Sequence, residues 1–302
     1  MIAMEPLPPL VGIVLLNYKN AAATLRCLAS LQGLDYPRVK IVVVDNASGD
    51  DDVALLAAQQ HEYQYDFVAS ATNGGFSAGN NLGISHCLAA GAAFVWILNN
   101  DTTVAPDALS HLVAKAQMTH GLVGSWLGDL SGQYQQVGHR LGWWLGTIKG
   151  YPESLVSDGM AVDSLSRASM LVPRQVFDQA GLMPEGYFLY VEDVAFCQQA
   201  WRAGFGCHVA TQAKVFHEEG ATTGRIPNTR WYYFFRNRLR FFKAFASSAQ
   251  WACIVAYAGF RLVRSAVLAS VSSAARAKLK AQWLGVGDAL RGIEGPCPHA
   301  LG

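Results

Sequence analysis

At 302 residues the chain can bury one large core or two modest ones, and with 51% hydrophobic and 15% charged residues it is not globally disordered. The net charge of +1 hides an asymmetry: residues 220–287 hold eleven Lys and Arg and no acid, which leaves the remainder at twelve basic against twenty-two acidic, or −10. Such segregation points to an anionic partner for the basic stretch. Six scattered cysteines without a Cys-x-x-Cys pair exclude a zinc site or disulfide framework and fit a reducing compartment.

The first ten residues, MIAMEPLPPL, have no basic region and no long apolar run, so no secretory signal is expected. Val11–Leu16 reads as a buried strand ending at Asn17-Tyr18, and Leu25, Leu28 and Leu31 give the helical spacing of the next element. Val39–Val44 is a second buried strand, ending in Asp45-Asn46. Asp50–Gln60 is a helix with acids in its first turn, as the macrodipole favours. Phe67–Ala69 is a short third strand, followed by Asn73-Gly74-Gly75-Phe76-Ser77-Ala78-Gly79-Asn80-Asn81 opening a small-residue helix to about Ala90. The apolar run Phe94–Leu98 then stops at Asn99, Asn100 and Asp101. That is a strand buried on both faces with a carboxylate at its C-terminal end, where open α/β sheets bind ligands. A plain strand-ending turn would use the same residues. Pro106 starts another helix.

Strand–helix alternation of this kind predicts βαβ units and a mostly parallel sheet covered on both faces. Strand ends at Asn17-Tyr18, Asp45 and Asp101 would line one sheet edge as a nucleotide crevice. No Gly-x-Gly-x-x-Gly follows the first strand, so it is not a dinucleotide fingerprint.

Residues 121–163 are less regular and rich in Gly and aromatics, and they carry His139 and Arg140. Hairpins and packing are the plain reading, an acceptor-facing loop the sharper one. Ser164–Val172 reads as a strand and Arg174–Ala180 as a short helix. Residues 181–190 form a loop whose aromatics could floor a sugar site. Glu192 and Asp193 open a helix to about Ala203, either as dipole-favoured acids or as catalytic ones. Gly206–Ala210 and Ala213–Phe216 read as two short strands, with His217 at the end of the second.

From Trp231 the chain turns basic and aromatic. Arg236, Arg240 and Lys243 share one helical face, and Arg261 and Arg264 another. Helices lying on an anionic membrane surface fit this pattern, ahead of an ordinary solvated face; nucleic acid is not expected. The longest late uncharged run, Ala244–Phe260, is seventeen residues, short of the ~20 of a spanning helix. Trp283–Gly302 reads as a helix fragment and a loose tail.

Seven of these pieces, in order from Val11 to Lys243, resemble the family 2 glycosyltransferases of GT-A fold. More narrowly, they resemble the bacterial rhamnosyltransferase-like branch of surface-polysaccharide assembly. They are VGIVLLNYKN, VVVDNASGDD, NGGFSAGNN, LNNDT (similar to the metal-binding Asp-x-Asp motif), MPEGYFLYVEDVAFCQQAWRAGF, VFHEEG and YYFFRNRLRF. The sequence departs from the family pattern at Asn99, where the first acid of Asp-x-Asp is replaced, and at Ala195, where the second acid of Glu-Asp-x-Asp is missing.

The resemblance implies an α/β GT-A domain over residues 1–220, with a nucleotide-sugar half (1–104) and an acceptor half (105–220). A basic, aromatic helical segment over residues 221–302 follows, which its charge pattern leads us to expect on the inner face of the cytoplasmic membrane. It also implies inverting sugar transfer from dTDP-rhamnose or a UDP-sugar to a hydroxyl of a lipid-linked or polysaccharide glycan. Asp193, with Glu192 beside it, is the expected base. Asp101 and His217 are the expected ligands of a manganese or magnesium ion. The donor would be held by Asn17, Tyr18, Asp45, Asn46, Asn73, Gly74, Gly75, Phe76, Asn80, Asn99, Asn100 and Asp101. Arg236, Arg240 and Lys243 would face membrane or acceptor. Alternatives are a non-catalytic binding or assembly subunit that kept the fold, and a sugar nucleotidyltransferase; the latter lacks its Gly-rich, Arg-containing loop after the first strand.

Overall fold

A computed structural model describes residues 7–218, 227–269 and 273–301. The start of the N-terminal segment, Glu219 and Gly220 of the VFHEEG motif and Arg225 of the basic stretch lie outside the described residues.

The first half alternates as the apolar pattern dictates. Strand β1 (Val11–Asn17), helix α1 (Ala21–Leu31), β2 (Val39–Asp45), α2 (Asp50–Tyr63), β3 (Tyr65–Ala69), α3 (Gly75–Ala89) and β4 (Phe94–Asn99) follow one another. β1 to β4 lie side by side, all parallel, in the order β3-β2-β1-β4. Successive residues of each strand feed opposite faces: Ile13, Leu15 and Trp96 join one core with α1, and Val14, Val42 and Ile97 the other with α3. Each such side chain, fully buried, contributes about 1.5–3 kcal/mol. Helix α3 can lie close to the sheet because Gly83 faces Val14 and Val44, where a Cβ would have no room.

The second half is β5 (Thr102–Val104), α4 (Ala108–Thr119), β6 (Leu122–Gly128), β7 (Tyr134–Gln136), β8 (Gly138–Gly142), β9 (Thr147–Gly150), β10 (Ala161–Val162), β11 (Ser164–Leu165), β12 (Ser169–Pro173), α5 (Arg174–Ala180), α6 (Glu192–Arg202) and β13 (Cys207–His217). β12 runs antiparallel to β4 and to β6, and β13 lies parallel to β6 and antiparallel to β5. The central sheet is therefore mixed, correcting the expectation of a mostly parallel one. Strand–helix alternation carries parallel pairing as far as β4; beyond it the connections no longer follow that rhythm.

Two local expectations also change. The stretch from Ser164 to Val172 is two strands in different sheets, β11 pairing β8 and β12 pairing β4; the break at Ser166–Ala168 opens onto the cleft described below. The two strands expected between Gly206 and Phe216 are one, with a register shift between Ala210 and Lys214. The Gly-rich region contains β6, buried along its whole length.

Helices α7 (Pro227–Phe245), α8 (Ser248–Ala269) and α9 (Ser273–Arg291) complete the chain. None of the described helices is long and apolar enough to cross a membrane. Leu239, Phe241 and Phe242 of α7 pack with Val191, Val194 and Ala195 around the start of α6. The tail expected to be loose is held: Tyr233 accepts a hydrogen bond from the Cys297 amide (2.7 Å), and His299 meets Asp288 (2.8 Å).

Candidate active site

Parallel registers set Asn17 opposite Asp45, and Leu16 opposite Asn99. The polar ends of β1, β2 and β4 thus share one edge. Above it lies a cleft of about 810 Å³, the size range of small-molecule sites. Tyr18, Asn46, Asn73, Gly75, Phe76, Asn99, Asn100, Asp101, Asp193 and His217 all line it.

Asp101 follows β4 in the turn to β5. Antiparallel pairing of β5 with β13 puts His217 opposite Thr102, which brings His217 Nε2 to 3.1 Å from Asp101 Oδ1 and 3.3 Å from Asn99 Nδ2. Asp101 Oδ1 and His217 Nδ1 are buried and make no hydrogen bond among the described residues. Among the described residues no three His, Cys, Asp or Glu side chains cluster as a closed metal site. A carboxylate and an imidazole with under-used polar atoms, facing an open cleft, instead fit a cation that takes its remaining ligands from diphosphate and water.

Asp193, which lines the same cleft, sits in the first turn of α6, 7% exposed. Its Oδ2 accepts from the Arg167 amide (3.1 Å) and its Oδ1 from the Val194 amide (2.9 Å). Arg167 lies between the rings of Phe76 and Tyr190 (5.1 and 4.9 Å) and donates to Glu192 Oε1 at 2.8 Å. Glu192 is wholly buried and does not line the cleft. Burial pushes its pKa up; the Arg167 charge opposes this and Asp193 adds to it. Burial also opposes the charge on Arg167, but Glu192 and Asp193 outweigh it and drive that pKa up. His139, on the same wall, has its pKa lowered by burial, against the pull of Asp193 and with the push of Arg167.

The loop leading to Asp193 is strained. Phe188, Tyr190 and Val191 all have positive φ (64°, 68° and 74°), an unusual backbone for bulky or β-branched residues. Helix α7 fastens it. Asn237 Nδ2 donates to the carbonyls of Tyr187 (2.8 Å), Leu189 (2.8 Å) and Tyr190 (2.9 Å), and Arg236 Nη2 reaches the Tyr187 carbonyl (3.0 Å). Arg240 Nη1 donates to the Gly186 carbonyl (2.6 Å) and pairs with Glu294. The loop also meets the other half: the Phe76 amide donates to the Phe188 carbonyl (2.7 Å), and Gly75, at φ 86°, lies where a Cβ would run into Phe188.

At the ends of β1 and β2, Asn17 is a wholly buried hub. It donates to Asp45 Oδ2 (2.8 Å), Ser48 Oγ (3.1 Å) and Asp52 Oδ2 (3.0 Å), and accepts from Thr24 (2.8 Å) and Asn100 (3.3 Å). Asn46 bonds Asn73 Oδ1 (3.0 Å) and the Gly75 carbonyl (3.1 Å), fixing the Gly-rich turn.

Five expected donor-side or catalytic residues therefore support the cleft without lining it. Asn17 and Asp45 are wholly buried and bonded to each other, Asn80 is buried and bonds the Phe76 carbonyl (2.9 Å), Gly74 holds the turn beside Asn46, and Glu192 holds Arg167. The expected membrane or acceptor face on α7 is corrected. Arg236 is wholly buried beneath the loop, and Arg240 is committed to Gly186 and Glu294; Lys243 alone of the three is exposed. Ala195, in place of the missing acid, is 1% exposed in the apolar cluster under α7, so that position does not face the cleft. Arg167 and Asn237 were missed. A lone arginine inside the otherwise uncharged run SLSRASMLV was the available signal for the first; the second lies in the YYFFRNRLRF piece, which marked its segment without giving it a role.

A family model described as Glycosyl transferase family 2 matches residues 12–175. The low-salt glycan biosynthesis hexosyltransferase Agl10 of Haloferax volcanii is 24% identical over 75% of this chain and 73% of that protein. The N-acetylglucosaminyl-diphospho-decaprenol L-rhamnosyltransferase of Mycobacterium tuberculosis is 25% identical over 71% and 78%. Among solved structures, the mannosyltransferase PcManGT of Pyrobaculum calidifontis, in complex with GDP-Man and Mn2+, superposes with a TM-score of 0.59 at 14% identity, over 96% of this chain and 92% of that one. S. aureus TarS superposes with a TM-score of 0.57 at 16% identity over 77% of this chain, which spans only 39% of the TarS chain.

Proposed function

The chain belongs to glycosyl transferase family 2, and from that premise we propose that it moves a sugar from a nucleoside-diphosphate sugar, dTDP-rhamnose or a UDP-sugar, to an acceptor hydroxyl with inversion at the anomeric carbon. The observation that supports this reading is the shared cleft, which Asp193 and the Asp101–His217 pair line together. An acceptor hydroxyl is a weak nucleophile at neutral pH. Asp193, held by two backbone amides, takes its proton as the new bond forms, help worth about 10²–10⁴-fold. Asp101 and His217 would hold a manganese or magnesium ion, which when bound offsets the charge that develops on the departing diphosphate. Tyr18, Asn46, Asn73 and Gly75 line the donor side, and Phe76, Phe188 and Tyr190 the sugar and acceptor side.

The acceptor belongs to the same proposal: a lipid-linked or polysaccharide glycan, presented at the inner face of the cytoplasmic membrane to residues 221–302. The mycobacterial relative is named for an N-acetylglucosaminyl-diphospho-decaprenol substrate, which is of that class. The test is release of nucleoside diphosphate from dTDP-rhamnose and UDP-sugars in the presence of manganese, by wild type and by Asp193→Asn. Turnover that disappears in the variant supports the assignment. Full turnover by Asp193→Asn removes Asp193 as base, and no binding or turnover of any nucleotide sugar removes the reading.

A further inference from the structure

A second pocket, about 360 Å³, lies on the far side of Phe234 and Ile148, two residues that also line the main cleft. Lys149, Arg238, Arg261 and Arg264 line it, with the hydroxyl-bearing Thr147 and Tyr257. Among the described residues none of the four cations forms an ion pair with a carboxylate.

Arg238 is the telling member. It is 1% exposed, and its Nε and Nη2 are buried with no hydrogen-bond partner among the described residues. Its guanidinium lies over the rings of Phe234 and Phe235, at 6.0 and 5.2 Å. A guanidinium held this way, with Arg261 rather than an acid as its charged neighbour, lacks the compensation that buried charges require. Burial first, and Arg261 second, lower its pKa to about 10. Two further arginines on the neighbouring helix add positive charge at the mouth. The arrangement matches the multiple charge-assisted bonds that phosphate oxygens accept from arginines.

We infer that this pocket binds the diphosphate of a lipid-linked acceptor, placing the acceptor's sugar in the adjoining cleft, an inference that rests on the glycosyltransferase reading. The lipid source follows from the outer face of α8: Phe260 (63% exposed), Val263 (66%) and Val267 (68%) follow at helical spacing, interleaved with Arg261 and Arg264. A phosphate group held by the arginines puts an attached hydrocarbon chain beside this apolar stripe.

The test separates this pocket from the donor site by working in EDTA, where a metal-dependent diphosphate site is silent. Thermal shift is measured for the whole protein with inorganic pyrophosphate and with farnesyl diphosphate. The double variant R261Q/R264Q changes half-buried and exposed side chains and keeps the unliganded melting temperature and circular dichroism. The expected result is a shift with both probes, larger with farnesyl diphosphate. Apparent affinity in the double variant falls roughly tenfold or more, the loss of at least one charge-assisted contact. Arg238→Met, at the base of the pocket, loses the same shift where its circular dichroism is native. No shift in EDTA, or equal shifts in wild type and R261Q/R264Q, overturns the site. Equal shifts with the two probes overturn the lipid source. None of these readouts depends on sugar transfer, so failure of the pocket and failure of the glycosyltransferase reading are distinguishable.

Discussion

Asn237 offers the sharpest test of how the site is held. It is wholly buried, and its two amide hydrogens are shared among three carbonyls of the strained loop while its Oδ1 accepts from Arg236 Nε (2.9 Å). Asn237→Ala leaves three polar groups short of a partner, the Leu189 and Tyr190 carbonyls and Arg236 Nε, while the Tyr187 carbonyl keeps Arg236 Nη2 and the Leu189 amide. At about 1 kcal/mol each, the lower end for an unsatisfied buried group, the loss is about 3 kcal/mol. The loop already carries three positive-φ residues, at about 1–3 kcal/mol each, so that strain is expected to relax. Asp193 follows directly after Val191 and Glu192, and misplacing a reacting group by about 1 Å is enough to cost ~10²-fold in rate. Sugar transfer is therefore expected to fall about 10²-fold with the main sheet intact. Hydrogen exchange should accelerate at the amides of residues 186–191 while those of β1 and β4 stay protected. Transfer within about twofold of wild type, together with unchanged exchange in the loop, refutes the clamp.

Three other outcomes follow from the site. Asp193→Asn should lower transfer by about 10²–10⁴-fold while nucleoside-diphosphate binding, read by thermal shift, stays at the wild-type value. Removing divalent metal, or changing His217→Ala, should abolish the manganese-dependent part of that nucleoside-diphosphate shift; a shift unaffected by EDTA contradicts a metal held by Asp101 and His217. For His139 the folded pKa is depressed by burial, so between the folded value and ~6.5 the unfolded chain binds more protons. Its contribution to stability is then present above pH ~6.5 and lost as the pH falls through the folded value. His139→Gln should flatten the acid side of the melting-temperature profile, and an unchanged slope would show that His139 does not titrate there.

The N-terminal half was legible because its signal is local. Apolar runs such as Val11–Leu16 and Phe94–Leu98 can be satisfied only by burial on both faces, and their polar ends fall on one edge once the strands pair in register. The convergence of Asp101, Asp193 and His217 was read from motifs, but the geometry rests on pairings no window reveals. β5 must run back against β13, and β12 must reverse beside β4. Asp45 shows the limit from the other side. Its strand and its place at the edge follow from the pattern, yet whether it faces a ligand or the interior depends on Asn17, Ser48 and Asp52, and here Asn17 takes its carboxylate.

The C-terminal helices show why charge pattern alone misleads. Arg236, Arg240 and Lys243 do recur at helical spacing, and a helix that met only solvent or lipid would present them outward. But α7 is apolar on more than one side, with Tyr232, Phe235, Leu239, Phe241 and Phe242 all buried, so some of its cations had to go inward with them. Those that did found different compensation. Arg236 is taken up by the Tyr187 carbonyl, Asn237 and Tyr232; Arg238 has rings, and among the described residues its Nε and Nη2 have no acceptor. The acid-free stretch therefore divides by function rather than by helical face. One buried arginine fastens the loop that carries Asp193, and the other, two residues on, is left facing a cationic pocket that an anion would complete.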